Sequence, residues 1–139
     1  MGRKKIVVAS GYFTIFHKGH VEYLEKSKEL GDILVVIVNN DKQTLLKKGK
    51  VLVTAKDRID VVKALQCVDL VIESVDEDRT VCKTLAALHP DIFTNGGDQS
   101  NESIPEAEVC DKLGIQMVDG LGSKVESSSD IVRRAKEMP

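Results

Sequence analysis

The sequence predicts an α/β fold: a single-domain, doubly wound, Rossmann-like parallel sheet of about five strands with helices on both faces. Short β-branched apolar runs alternate with amphipathic segments from one end of the chain to the other. These runs are continuously apolar, which is typical of strands that are buried on both faces of a parallel sheet. The 139 residues are therefore expected to form one domain, residues 1–139.

The elements follow from this alternation of apolar and amphipathic segments. The predicted strands are Ile6–Ala9, Ile33–Val38, Leu70–Ile72, Ile92–Thr94 and Ile115–Val118. The predicted helices are Val21–Leu30, Ala55–Leu65, Arg79–Leu88, Pro105–Leu113 and Ser128–Lys136. Residues suited to helix ends flank several of these helices, such as Thr54 as an N-cap and Gly114 as a C-terminal stop. Sheets of this kind bind ligands at the carboxyl ends of their strands, beside the switch point.

Composition excludes several classes of function. The formal charge of −2 gives no basic field of the kind that favours nucleic acid as a partner. No apolar run is long enough to span a bilayer, so no membrane partner is expected and the cytoplasm is the expected location. Cys67, Cys82 and Cys110 lack metal-ligand spacing and are expected to be reduced thiols, and no side chain is assigned to a metal.

The segment His17-Lys18-Gly19-His20 carries most of the functional information. It lies between the first predicted strand and the first predicted helix, where unpaired backbone N–H groups and the helix dipole favour an anion. Two imidazoles three residues apart can bind phosphate oxygens there and stabilise charge that develops during phosphate chemistry. The alternative is a loop histidine and a helix cap. We predict a phosphate site, and the chain is expected to be an enzyme.

The rest of the same segment is expected to surround the ligand. Gly11 and Gly19 allow the backbone to approach a bound molecule closely. Tyr12 is the aromatic residue best placed to touch the ligand, and Phe13 is assigned to the same site.

Two further clusters are predicted to bind anions. Lys47 and Lys48 precede Gly49 in a non-periodic stretch, which is interpreted as a mobile loop that closes over a phosphorylated substrate. Arg58 lies in the first turn of its helix, where the dipole disfavours a cation, so an anionic partner is expected. For these basic residues, solvated surface is the alternative. The run Ser127, Ser128 and Ser129 at the start of the last helix is predicted to form a second anion cradle.

These motifs resemble those of the cytidylyltransferase-like nucleotidyltransferases, whose first-strand motif is roughly G-x-F-D-x-x-H-x-G-H. The likeness is greatest to the heptose-1-phosphate adenylyltransferase and glycerol-3-phosphate cytidylyltransferase branches. It extends over nearly the whole chain and includes Asn39-Asn40-Asp41, Asp57-Arg58, Val68-Asp69, His89-Pro90-Asp91 and Gly96-Gly97-Asp98.

The resemblance implies a reaction and a set of roles. A nucleoside triphosphate, ATP or CTP, would react with a phosphorylated sugar or polyol and release pyrophosphate, with Mg²⁺ accompanying the triphosphate. His17 and His20 would bind the α- and β-phosphates, Lys47 or Lys48 with Arg58 the acceptor phosphate, and the three serines the triphosphate tail. Asn95, Gly97 and Asp98 would lie near the base and the ribose. Related enzymes often pair, so a homodimer is also expected.

The chain departs from the family pattern at two places. Thr14 stands where the family has Asp, and Gly122–Glu126 replaces the family's Arg-Thr-Glu-Gly-Ile, which leaves Lys124 as the only nearby cation to contact substrate. Two alternatives stay open. One is adenylyl transfer to a vitamin-derived phosphate, such as a flavin or pantetheine phosphate. The other is a nucleotide-binding protein without turnover.

Overall fold

The computed structural model of the chain describes residues 3–96 and 105–121. The strands are β1 (Ile6–Gly11), β2 (Ile33–Val38), β3 (Leu70–Glu73), β4 (Ile92–Gly96) and β5 (Gln116–Leu121). They are parallel and form one sheet in the order β3-β2-β1-β4-β5. The helices are α1 (Lys18–Glu29), α2 (Asp41–Lys48), α3 (Ala55–Lys63), α4 (Cys82–Leu88) and α5 (Glu106–Leu113). None of these helices is long and apolar enough to cross a membrane.

The sheet is covered on both faces, as the continuous apolar runs predict. Side chains of β1 and β2 alternate between two apolar clusters. One cluster packs against Leu24 of α1 and Val62 of α3. The other packs against Leu85 of α4 and Cys110 of α5. The predicted fold class, a doubly wound parallel sheet with helices on both faces, is therefore confirmed.

The switch point lies between β1 and β4, the two strands from which the chain winds in opposite directions. The buried Tyr23 hydroxyl joins these strands, because it donates to the Thr94 carbonyl at 2.7 Å and accepts from the Ser10 N–H at 3.2 Å. Burial raises the pKa of Tyr23 to about 12, so the phenol keeps its proton. The Tyr23 hydroxyl thus links β1 to β4 from inside the protein, close to the carboxyl ends of both strands.

Helix α5 begins one residue after its predicted start, at Glu106, and two other helices begin three residues away from theirs. Helix α1 begins at Lys18 instead of Val21, because His17 and His20 themselves supply the first hydrogen bonds of the helix. Helix α4 begins at Cys82 instead of Arg79, since the carboxylate of Asp76 accepts from the backbone of the first helical turn. The predicted helix Ser128–Lys136 lies outside the described residues.

The expected mobile loop around Lys47 and Lys48 is wrong, because both lysines belong to the last turn of α2. The residues that α2 buries are polar, Gln43 and Thr44, so no apolar period marks the helix in the sequence. The helix ends at Gly49, whose φ of +79° is a left-handed conformation that favours glycine. Lys47 and Lys48 are therefore carried on an ordered helix at the carboxyl end of β2.

Candidate active site

The loop from β1 to α1 brings the two motif histidines together at the start of the helix. The Nδ1 atom of His17, the N-cap residue, accepts from the Gly19 N–H at 3.1 Å. The Nδ1 atom of His20 accepts from the His17 N–H at 3.2 Å. This is a reciprocal capping box built from imidazoles in place of the usual hydroxyl and carboxylate. The two rings are stacked, with their centroids 4.0 Å apart.

Aromatic rings hold the His20 side chain in place. Phe13 packs edge-on against His20 at a centroid distance of 5.1 Å, and Phe16 lies 5.2 Å away on a tilted plane. Phe13 has a φ of +52°, a strained conformation for a residue with a side chain. Its ring occupies the space beside Gly11, where an added Cβ would lie 2.8 Å from Phe13 Cζ. The glycine that begins the motif is thus required for packing the ring that supports His20.

The electrostatics of this loop favour an anion. Helices α1 and α4 have no acidic residue in their first turns, whereas α2, α3 and α5 each have at least one there. No carboxylate of its own first turn therefore neutralises the positive end of the α1 dipole. Burial, and to a lesser extent the nearby His17, lowers the pKa of His20 to about 4. The His20 ring is consequently neutral at pH 7.

Arg58 is buried, and its guanidinium donates hydrogen bonds to other residues of the protein. Only 1% of the residue is exposed. Its Nη1 donates to the carbonyls of Tyr12 at 2.7 Å and Asn39 at 2.8 Å, and its Nε donates to Val53 at 3.0 Å. Its Nη2 donates to the Asp41 carboxylate at 3.1 Å. Four of the five guanidinium donors are thus occupied, and Arg58 joins the loop after β1 to the loop after β2.

Sequence reasoning missed these contacts because three of the acceptors are backbone carbonyls, which no residue type announces. The expected contact of Arg58 with a substrate phosphate would require these hydrogen bonds to break. One signal was available in the sequence, the acidic residue Asp41, which lies in the first turn of α2. In the structure its carboxylate also accepts from the Ala55 N–H at 2.8 Å, at the start of α3. A carboxylate so near a helix start is a natural partner for a buried guanidinium.

Lys47 and Lys48 have different surroundings although they are neighbours in sequence. Lys47 Nζ lies 4.4 Å from the centroid of the Tyr12 ring, a cation–π contact with a residue of the motif loop. Both lysines are exposed. The structure thus brings Lys47 to the site with Tyr12, whereas no contact with the residues that the structure describes places Lys48 there.

Thr14 is the departure from the family motif, and it is unusual in the structure as well. Its Oγ1 is buried and has no hydrogen-bond partner within the described ranges 3–96 and 105–121. In those same ranges no group of three or more His, Cys, Asp and Glu side chains is placed to hold a metal ion. The loop therefore contains an unsatisfied hydroxyl, and the described chain offers no carboxylate cage for a cation.

Of the remaining predicted site residues, the structure describes only Asn95. Asn95 is buried in β4, and Gly96 ends that strand at the switch point beside β1. Gly97, Asp98, Lys124, Ser127, Ser128 and Ser129 lie outside the described residues. Their assignments remain predictions.

A doubly wound sheet with two imidazoles and a helix start at its switch point is an arrangement suited to binding a phosphate group. The sequence model of the family described as cytidylyltransferase-like matches residues 8–134. The chain belongs to this family. The resemblance predicted from the motifs is confirmed, and with it the class of enzyme, a nucleotidyltransferase.

Similar proteins agree with this membership. The chain is 42% identical over 124 residues to the Bifunctional protein HldE of Citrifermentans bemidjiense, covering 84% of this chain and 25% of that protein. It is 39% identical to the Helicobacter pylori (strain Shi470) protein of the same name, covering 96% of this chain and 28% of that one. The chain thus spans about a quarter of the length of these curated relatives.

Solved structures show the same likeness. The lipopolysaccharide core biosynthesis protein from Thermoplasma volcanium has a TM-score of 0.73 and 33% identity, and the match covers 88% of this chain and 100% of that one. A pantoate-beta-alanine ligase from Francisella tularensis has a TM-score of 0.58 at 14% identity, covering 96% and 69% of the two chains. The second match shows a shared fold alone.

Replacing Arg58 with Lys is expected to lower the free energy of unfolding by about 2–3 kcal/mol, because a single ammonium cannot reach the separated acceptors and leaves buried carbonyls unpaired. Chemical denaturation measures the change. Lys56→Ala, an exposed change on the same helix, is the control and should stay within about 0.5 kcal/mol. An Arg58→Lys protein as stable as the wild type would contradict the structural role.

Acid is expected to destabilise the protein through His20. The pKa of His20 is about 4 in the folded protein and 6.5 without its surroundings. Between these values the unfolded chain binds a proton that the folded protein does not, so the free energy of unfolding decreases as the pH falls from about 6.5 towards 4. Denaturation at several pH values, for the wild type and His20→Asn, isolates this contribution. Parallel pH curves for the two proteins would refute it.

Proposed function

We propose that the chain transfers a nucleotidyl group from a nucleoside triphosphate, ATP in preference to CTP, to a phosphorylated sugar or polyol. The observation that carries the proposal is the meeting of two imidazoles with a helix start that has no acidic residue in its first turn, at the switch point of the sheet. Membership of the cytidylyltransferase-like family supports the class of reaction. The Thermoplasma volcanium relative is named for lipopolysaccharide core biosynthesis, and because such a core is built from sugars, the name supports a sugar phosphate as acceptor.

The proposed reaction is one in-line displacement at phosphorus. An oxygen of the acceptor phosphate forms a bond to the α-phosphorus of the triphosphate. The bond from that phosphorus to the bridging oxygen of the β-phosphate breaks, and pyrophosphate leaves with the electron pair. No covalent intermediate with the enzyme is involved. Catalysis therefore comes from positioning and from stabilising charge on the phosphate oxygens.

Each residue of the site has a separate role in the proposed reaction. In the proposal, His17 and His20 donate to oxygens of the α- and β-phosphates, where charge develops in the transition state. Lys47 binds the acceptor phosphate. Arg58 acts as a positioning residue, because its bond to the Tyr12 carbonyl holds the motif loop against the loop after β2. Ser127, Ser128 and Ser129 remain assigned to the triphosphate tail.

Mg²⁺ is proposed to enter with the triphosphate. The described part of the chain has no cluster of carboxylate, imidazole or thiol ligands for it, so phosphate oxygens and water would hold the ion. When bound, it would neutralise charge on the triphosphate. No step is assigned to it.

The expected activity is pyrophosphate release that requires both a nucleoside triphosphate and a phosphorylated sugar. A coupled pyrophosphate assay with ATP and CTP, each with a panel of sugar and polyol phosphates, measures it, and the matching sugars without phosphate are the controls. Release with a flavin or pantetheine phosphate alone would contradict the acceptor class. Thermal stabilisation by nucleotide with no release across the panel would contradict turnover.

Lys47→Ala is expected to raise the KM for the acceptor phosphate by about 10- to 100-fold, as loss of a charge-assisted hydrogen bond does. The KM for the nucleotide should change little. Lys48→Ala is the matched control, because it removes the same charge from the next position of the same helix, away from Tyr12. Steady-state kinetics with the acceptor varied distinguishes the two. Equal effects of both substitutions would overturn the assignment of Lys47.

A further inference from the structure

The loop that follows β3 presents Arg79 at the carboxyl edge of the sheet. A buried side chain of α2 fixes the backbone on both sides of it, because Gln43 Nε2 donates to the Asp78 carbonyl at 2.6 Å and to the Thr80 carbonyl at 2.7 Å. Arg79 itself is exposed. Its side chain therefore extends into solvent from a backbone that is held from inside the protein.

Tyr12 connects this loop to the motif loop and to α2. Its hydroxyl donates a long hydrogen bond, 3.5 Å, to the Arg79 carbonyl. Lys47 Nζ lies over the ring of the same tyrosine, 4.4 Å from its centroid. The Lys47 ammonium and the Arg79 backbone thus contact one phenol, and a side chain as long as that of arginine can bring its guanidinium close to the ammonium.

The charge of Arg79 acts on the Tyr12 hydroxyl. Burial raises the pKa of Tyr12, and of the charged groups around this hydroxyl Arg79 has the largest effect, which opposes the rise. Glu106, Arg58 and Asp78 have smaller effects. Because the interaction between charges weakens with distance, the guanidinium of Arg79 lies on the Tyr12 side of its loop.

Two carboxylates beside this loop, those of Asp78 and Glu106, are bonded to other groups. The Asp78 carboxylate accepts from the N–H and the hydroxyl of Thr80, at 2.9 and 2.7 Å. The Glu106 carboxylate accepts from the Val81 N–H at 2.9 Å. Among the residues that the structure describes, Arg79 forms no ion pair. Its guanidinium is thus available to a ligand beside Tyr12.

We propose that Arg79 binds the acceptor phosphate together with Lys47, and that this pair selects acceptors that carry a doubly charged phosphate monoester. The proposal rests on the proposed nucleotidyl transfer and adds a specificity-determining residue to its acceptor site. A phosphate monoester has close to two negative charges at neutral pH, so two cations match it, whereas a singly charged ester needs only one. The planar guanidinium can also bind two phosphate oxygens at once, which fixes the orientation of the group.

Substitution of the Arg79 side chain leaves the supporting contacts in place, because Tyr12 and Gln43 donate to backbone carbonyls of the loop. Arg79→Gln is therefore expected to unfold at the temperature of the wild type. Lys83→Gln is the matched control, since it removes one exposed positive charge from α4, the next helix. No hydrogen bond, ion pair or ring contact joins Lys83 to Tyr12.

Steady-state kinetics with the acceptor varied measure the effect on binding. Arg79→Gln is expected to raise the KM for the acceptor phosphate by about 10- to 100-fold, as loss of charge-assisted hydrogen bonds does, and to change the KM for the nucleotide little. Lys83→Gln should behave as the wild type does. Equal acceptor KM values in Arg79→Gln and the wild type would overturn the proposal. A rise in the nucleotide KM alone would overturn it too, because Arg79 would then bind the triphosphate.

A sugar sulfate tests the selection by charge, because a sulfate monoester has the shape of a phosphate monoester and a single negative charge. As a competitive inhibitor against the phosphate of the same sugar, it is expected to bind the wild type about tenfold or more weakly than the phosphate does. In Arg79→Gln this ratio should fall towards one, whereas a structural defect would weaken both ligands alike. An unchanged ratio would contradict the selection.

Tyrosine fluorescence measures phosphate binding without turnover. The chain has no tryptophan and two tyrosines, of which Tyr23 is buried, so a change in emission on binding reports Tyr12. Inorganic phosphate is expected to change the emission of the wild type and of Lys83→Gln at the same concentrations, and to require about tenfold more or higher in Arg79→Gln. Equal Kd values in all three proteins, or no response of the wild type to millimolar phosphate, would refute the role of Arg79. If the wild type releases no pyrophosphate with any substrate, the proposed function fails, and this titration alone decides whether Arg79 binds phosphate.

Discussion

The arrangement of this site depends on two hydrogen bonds at the start of α1, one to the Nδ1 of His17 and one to the Nδ1 of His20. They begin the helix directly after the loop from β1, which places its positive end at the switch point of the sheet. They also fix the plane of each ring and the nitrogen that carries its proton. Helix capping, which stabilises the fold, and the placement of the proposed phosphate donors thus depend on the same two hydrogen bonds.

Two basic residues of the site, Arg58 and Lys47, differ in burial, and this difference indicates which of them maintains the structure and which is available to a ligand. Arg58 has a planar guanidinium that can satisfy several carbonyls at once, so it can be buried between two loops without leaving them unpaired. Lys47 is exposed and lies over a ring. The buried cation maintains the shape of the site, and the exposed one is suited to a substrate.

Structure that depends on a local pattern of residue types could be predicted from the sequence. Structure that depends on backbone groups far away along the chain could not. Strand β2 was predicted with its bounds, Ile33–Val38, because it is apolar on both faces. Helix α2 was missed because it buries Gln43 and Thr44 while Leu45 and Leu46 are 54% and 56% exposed, which reverses the usual pattern. Its capping box, Asn40 with Gln43, was visible in the sequence. Three of the four acceptors of Arg58 were not, since they are backbone carbonyls, the farthest of them 46 residues away along the chain.

The departure at Thr14 is consistent with the same electrostatic logic. From Gly11 to His20 the loop contains no carboxylate, and the first turn of α1 adds none. An Asp at position 14 would place an acceptor-only negative group three residues before His17, close to where phosphate is proposed to bind. Thr14 is neutral and can donate, so this loop opposes an anion less than the family motif does. Its buried Oγ1 has no partner among the described residues, which is a cost of about 1–3 kcal/mol for a hydroxyl. The neighbouring Phe13 is strained as well. The packing of Phe13 against Gly11 and His20 therefore helps to hold the loop in this conformation.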